Sequence, residues 1–307
     1  NSGKTILVGR NRAYHGVGFG GISVGGLSYN KDHFPLLTNV DHICDTYNLK
    51  RNAFSRGQPD WGKELADDLL RVIEKHGADQ VAAFITEPVA GSTGVLIPPK
   101  GYLERIRQIC TEHNILLIFD EVIKGFGRLG DSFAAQRFKV EPDLITCAKG
   151  LTSGTVPMGA VMVKKEIYDA FQQGNPKMID LFHGYTYSAH PLASAAMIAT
   201  LDVYLGDGLF ERAGALSSYW EEGCHSLKGT DHIIDIRNLG LVAGIEMAPR
   251  DEKPGTRGYD VFTDAFHNHD LLIRITGDTI ALSPPLIVEK EHIDIIIETL
   301  QTIIPNH

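Results

Sequence analysis

Four near-continuous apolar runs constrain this chain more than anything else in it: VAAFITE (81–87), ILLIFDEV (115–122), LITCAK (144–149) and GAVMVKK (159–165). Each has the length of a strand. Two helical patterns, WGKELADDLLRVIEKHG (61–77) and GYLERIRQICTEHN (101–114), alternate with the first of them, with apolar residues at i, i+3 and i+4 and Gly77 or Asn114 at the end. Strands that are apolar on both faces and alternate with helices imply an α/β fold around a mostly parallel central sheet with flanking helices. Chemistry in such sheets gathers beyond the carboxyl ends of the strands. Glu87, Asp120 and Lys149 stand at those ends.

A further strand is expected at once, from Thr5 to Gly9, after only a few residues. The chain begins with Asn1 rather than methionine, so it reads as a fragment or processed product of a longer domain. Beyond about residue 205 the pattern changes. HIIDIRNLGLVAGIEM (232–247) reads as two strands around Asn238-Leu239-Gly240, a helix follows near 257–269, and LLIRITGDTIALSPP (271–285) holds two more strands. A last helix carries Ile293, Ile296, Ile297, Leu300, Ile303 and Ile304 on one face. These patterns divide the chain into a large domain over 1–205 and a small C-terminal α+β domain over 206–307, joined by a long helical region at 190–228.

Charge narrows the partners. The formal net charge of -9 gives no pull toward nucleic acid or an anionic membrane, and no apolar stretch has the length of a membrane span. Cys44, Cys110, Cys147 and Cys224 show neither paired spacing nor metal-ligand spacing, which fits a reducing cytoplasm and a soluble protein. His183 with His190, or Glu291 with His292, lack a third ligand, so no metal is expected.

Two motifs mislead. GVGFGG (16–21) satisfies G-x-G-x-x-G, but the ISVGGLSYN that follows is a poor helix, so a dinucleotide site is not expected. SGKT (2–5) matches the end of a phosphate loop yet leads into a strand, where that loop requires a helix.

Lys149 is the residue that asks for an explanation. An apolar strand delivers its ammonium to the rim of a core, where a desolvated amine loses proton affinity and becomes a nucleophile toward carbonyl carbons. Asp120 at the end of another strand supplies an acid. A lysine and an acid at two strand ends suggest pyridoxal phosphate, whose aldehyde bonds a lysine and whose pyridine nitrogen needs an acid partner. Tyr14 and His15, in RAYHG, add an aromatic ring and an imidazole in a glycine-rich loop.

The motifs EPVAGSTGVLIPPKGYL, LLIFDEVIKGFGRLG, DLITCAKGL, PMGAV, HGYTYSAHP and GDTIALSPPLI together resemble class III aminotransferases of the type I pyridoxal phosphate fold. GGISVGG and NAFSRGQP are similar to the omega-amino acid–pyruvate, or β-alanine–pyruvate, aminotransferases within that class. The likeness runs over essentially the whole chain. It implies Lys149 as the Schiff-base lysine and proton-transfer base, and Asp120 as the acid that keeps the pyridine nitrogen protonated. Val122 and Tyr14 would face the two sides of the ring, with His15 beside Tyr14 and Glu87 near the ring hydroxyl. Thr186 would bind phosphate across a dimer interface, and Arg274 would grip a substrate carboxylate.

The resemblance implies pyridoxal 5'-phosphate as cofactor, an amino donor such as β-alanine, a keto-acid acceptor (pyruvate) and a homodimer or higher homo-oligomer. It also implies that the family's N-terminal segment, with the glycine-serine loop that holds the phosphate, is absent here. A decarboxylating or amino-shifting reaction of the same class, or a catalytically silent fragment, stay open as alternatives. Two positions depart from the family. Lys124 replaces a usual threonine and is expected to face solvent, and Ala189 replaces a usual glycine and would be strained at positive φ.

Overall fold

The computed structural model describes residues 2–175, 177, 181–251 and 253–307. In the first sheet the strands are β1 (Ile6–Arg10), β2 (Val40–Ile43), β3 (Val81–Thr86), β4 (Leu116–Asp120), β5 (Leu144–Ala148) and β6 (Gly159–Val163). They lie in the order β2-β1-β3-β4-β5-β6, all parallel except β6, which runs antiparallel to β5. Helices Asp68–His76 and Tyr102–Glu112 bury Leu69, Val72, Ile106 and Ile109 against Val8, Phe84, Leu117 and Phe119 of the sheet. The helical pattern at 61–77 is shorter than its periodicity suggested. Gly62, at φ 121, starts a 3-10 turn over Lys63–Asp67, and α-helix begins only at Asp68.

The second sheet is antiparallel: β7 (Ile233–Asn238), β8 (Ala243–Met247), β9 (Arg274–Thr276) and β10 (Thr279–Leu282), in the order β7-β8-β10-β9. Helices Leu209–Ser226, Thr256–His269 and Lys290–Ile303 carry its core residues, among them Trp220, Val261, Ile293 and Leu300. Phe126, Cys147 and Leu151 of the first sheet's layer belong to the same apolar cluster, so this core continues to the base of Lys149. Arg237, buried in β7, ties the two sheets together. Its guanidinium pairs with Asp235 and Glu246 and donates to the carbonyls of Gly94 and Val95.

A short helix, Phe19–Val24, begins inside GVGFGG and ends at Gly25, so the stretch after the motif is broken as expected. Its glycines serve close packing. A Cβ on Gly21 would lie 2.3 Å from the His15 carbonyl oxygen, and one on Gly9 of β1 would lie 2.0 Å from that of Val24. The helix can therefore lie directly on β1. The motif thus overlaps the short helix, and Asp41 on the next strand is already bonded to Lys75, His76 and the amide of His42.

Candidate functional site

The parallel strands β1, β3, β4 and β5 are consecutive neighbours, and their carboxyl ends deliver the predicted residues to one place. Asp120 is the last residue of β4. One carboxylate oxygen lies 2.7 Å from His15 Nδ1, and the other accepts the Val122 amide at 3.1 Å. Both side chains are almost wholly buried, and His15 Nε2 has no protein partner. An ionised Asp120 accepts a hydrogen bond from His15 Nδ1–H, which in the neutral imidazole fixes the tautomer and leaves Nε2 as the bare nitrogen.

Glu87 directly follows β3. Its Oε1 accepts the Tyr14 amide at 3.0 Å and its Oε2 accepts the Gly91 amide at 2.8 Å. One buried carboxylate therefore holds the loop after β1 and the turn after β3 in fixed register. Lys149 directly follows β5 and adopts a left-handed φ of 46°, a backbone strain of about 1–2 kcal/mol for a residue with a Cβ. Such strain persists where a site over-determines it. Lys149 lines a cleft of about 730 Å³ with Val122, Ile123, Phe126, Arg128 and Tyr204. Desolvation lowers its proton affinity; Asp120 and Glu87 pull in the opposite direction, and Arg274 repels the charge.

The structure brings Tyr14, His15, Glu87, Asp120, Val122 and Lys149 together, with Arg274 near enough to act electrostatically on Lys149. Arg274 opens β9, where its side chain is exposed on a second cleft. Thr186 is not gathered in. It lies in an exposed segment with Phe182, Tyr185 and Tyr187, and among the described residues no hydrogen bond joins it to Lys149, Asp120 or Glu87. Ala189 has the positive φ expected of it, 55°.

Lys124 overturns its expectation. It is 1 % exposed, not solvated, and its amine has no hydrogen-bond partner. Glycine makes the room: a Cβ on Gly91 would stand 3.3 Å from Lys124 Nζ and 2.7 Å from Ile123 Cδ1. The tight turn in which the Gly125 amide bonds the Glu121 carbonyl aims the side chain inward, beneath the 87–91 turn. Burial pushes its pKa down to about 7, with Glu87 opposing that drop and Arg128, Lys149 and Arg274 adding to it.

Sequence reasoning also missed the direct His15–Asp120 pair, since RAYHG and LLIFDEV lie more than a hundred residues apart. The arrangement suits pyridoxal phosphate at the ring: an amine of lowered proton affinity on the cleft wall, and a buried carboxylate braced by an imidazole with a bare nitrogen. This site can bond a carbonyl carbon, keep a ring nitrogen protonated and move a proton at one amine.

Comparison with known proteins agrees with that chemistry. The family description Aminotransferase class-III matches residues 1–304. The omega-aminotransferase of Caulobacter vibrioides is 59% identical over 302 residues, which are 98% of this chain and 69% of that protein. The beta-alanine–pyruvate aminotransferase of Pseudomonas aeruginosa is 47% identical over 294 residues, 95% of this chain and 65% of that protein. The chain thus spans about two thirds of the length of these relatives. A solved structure described as a transaminase with L-ala superposes with a TM-score of 0.91 at 30% identity, covering 99% of this chain and 73% of its own.

Proposed function

Because the chain belongs to the class III aminotransferases, with the type I pyridoxal phosphate fold of its structural neighbours, we propose that it carries the ring-binding half of an omega-amino acid–pyruvate aminotransferase site. The observation that carries this reading is the convergence of Lys149 and the Asp120–His15 pair at adjoining strand ends beside one cleft. The substrates proposed are an omega-amino acid such as β-alanine as donor and pyruvate as acceptor. The names of the relatives support them, as does the L-alanine with which the structural neighbour was solved.

Pyridoxal phosphate would supply the electron sink that makes a carbon next to nitrogen acidic. The chain's own residues do the rest. Asp120, oriented by His15 and the Val122 amide, holds a proton on the ring nitrogen. Lys149 Nζ would provide the amine that holds the cofactor and would serve as the base for the proton at the reacting carbon. Such a positioned base contributes about 10²–10⁴-fold. Val122 and Tyr14 would flank the ring, Glu87 holds the Tyr14 amide in place, and Arg274 would offer a guanidinium to a substrate carboxylate. Thr186, in an exposed strip with Phe182, Tyr185 and Tyr187, suits a second copy of the chain, to whose phosphate site it would contribute.

The test is an absorbance spectrum of the chain with added pyridoxal phosphate, beside Lys149→Ala. A band present only with Lys149 intact, bleached by β-alanine and restored by pyruvate with formation of alanine, is the expected result. Equal spectra for the two proteins reject the cofactor site in this chain, and release of carbon dioxide or an isomerised amino acid would move the reaction to another of the class.

A further inference from the structure

We propose that Thr276 is a positioning residue for the substrate carboxylate: its hydroxyl clamps β9 to the turn after β3 and so holds Arg274 at a fixed place relative to the ring site. This rests on the reading of Arg274 as the carboxylate-binding guanidinium.

The turn over residues 87–96 is built as a platform. Ala90 and Leu96 bond each other through their backbones in both directions, at 3.1 and 2.9 Å, and Glu87 Oε2 holds the Gly91 amide at 2.8 Å. Thr93 Oγ1 donates to the Arg12 carbonyl at 2.7 Å, and the Arg12 guanidinium donates to the Thr93 carbonyl at 3.2 Å. Two residues beyond Arg12, the Tyr14 amide bonds Glu87 Oε1. The loop that carries Tyr14 and His15 is thus tied to this turn at two points.

The same platform lies across the second sheet and meets each of its four strands. Arg237 of β7 donates to the carbonyls of Gly94 and Val95. On β8, a Cβ at Gly244 would stand 3.0 Å from the Gly94 carbonyl oxygen, and a Cβ at Gly94 would stand 3.6 Å from Thr279 Oγ1 of β10. At β9, Thr276 Oγ1 donates to the buried Ser92 carbonyl at 2.9 Å.

β9 depends on that bond. It is three residues long, lies at the sheet's edge and pairs on one side only, with β10. Among the described residues no other hydrogen bond joins it to the first sheet's layer. Its far end is anchored, because Asp278 accepts the amides of Gly255 and Gly258. Its near end is Arg274, preceded by the exposed Leu272. Strand alternation puts Thr276 and Arg274 on one face, so the hydroxyl fixes the strand on the side from which the guanidinium projects. Without it β9 can pivot on the 277–278 turn. Only part of the molecules then present Arg274 in the binding position, and carboxylate affinity falls by that fraction.

The experiment is a pyruvate titration of the full chain labelled with ¹⁵N-arginine, followed at the Arg274 Nε signal, which is assigned by its loss in Arg274→Gln. In the parent chain that signal should shift saturably. Thr276→Val keeps the side chain's shape and removes the hydroxyl, and its midpoint should rise about three- to tenfold, the worth of one net hydrogen bond. Thr276→Ser, which keeps the donor, should restore the parent midpoint. Hydrogen exchange gives a second readout: in Thr276→Val it should quicken across residues 274–276 and leave the Tyr14 and Gly91 amides as protected as in the parent. A purely structural threonine would raise exchange in both regions together. An unmoved midpoint in Thr276→Val, a serine variant that behaves like the valine, or exchange that rises alike in both regions overturns the proposal. A parent signal that pyruvate never moves is a different result: it removes the carboxylate role of Arg274, and the proposal falls with it.

Discussion

Replacing Lys124 by methionine should stabilise the protein, and by an amount that depends on pH. Burial lowers the folded-state pKa from 10.5 to about 7, and each unit is worth about 1.4 kcal/mol. The sign follows from linkage. Between pH 7 and 10.5 the unfolded chain binds the proton that the folded chain has released, so stability rises with pH across that window. Below pH 7 both states are protonated, and folding carries the full burden of a buried charge, on the order of 5 kcal/mol. At pH 8.5 about 2 kcal/mol of that burden has been relieved. Methionine fills the same slot without charge, but it removes a counter-charge from Glu87, so the absolute gain falls below this ceiling. The pH dependence survives the correction, because only the parent chain titrates at position 124. A melting-temperature series for both proteins at pH 6, 7 and 8.5 tests it. For a chain of this size 1 kcal/mol corresponds to roughly 2 °C, so the variant's advantage should shrink by about 4 °C between pH 6 and 8.5. Parallel curves, or a variant that melts below the parent at pH 6, would refute the claim that Lys124 is buried as a strained amine.

Asp120→Asn keeps a hydrogen-bonding group beside His15 but loses the carboxylate. Turnover should fall on the order of 10²-fold or more with stability changed by about 1 kcal/mol, and parent-like turnover in a folded variant would remove Asp120 from the ring-nitrogen role. Gly21→Ala places a Cβ 2.3 Å from the His15 carbonyl oxygen. It should cost about 1–3 kcal/mol and weaken cofactor binding through His15, measured by a melting curve and a pyridoxal phosphate titration. Ala189→Gly relieves a φ of 55°; a gain of up to about 1 kcal/mol is expected in denaturant unfolding, and a loss would mean that the alanine methyl packs usefully.

The legible parts of this fold are those whose signal is local. β3, β4 and β5 lie within their apolar runs because a strand buried on both faces needs no partner information to be recognised. The residues that end them, Glu87, Asp120 and Lys149, were legible for the same reason: a charge at the end of an apolar strand is out of place unless it serves something. β2 was not legible. Val40-Asp41-His42-Ile43 mixes polarity at the sheet's edge, where Asp41 bonds Lys75 and His76 on the covering helix. The Phe19–Val24 helix was missed because its sequence carries little helical propensity; its position is set by backbone approach at Gly9 and Gly21, which only the folded neighbours reveal.

Lys124 shows where reading along the chain reaches its end. Nothing in EVIKGFG distinguishes an inward lysine from an outward one, since a turn has no periodicity to assign faces. Gly91 is the close neighbour: a Cβ there would meet Ile123 Cδ1 at 2.7 Å and stand 3.3 Å from Lys124 Nζ. Gly91 in turn is held by Glu87, and Glu87 also holds Tyr14. A lysine at 124 therefore depends on a glycine and a glutamate in another strand's loop. Filling position 91 with alanine should displace Ile123 and crowd the Lys124 amine. A site built this way can be located from its own strand ends, but its charge balance is written in the contacts between loops.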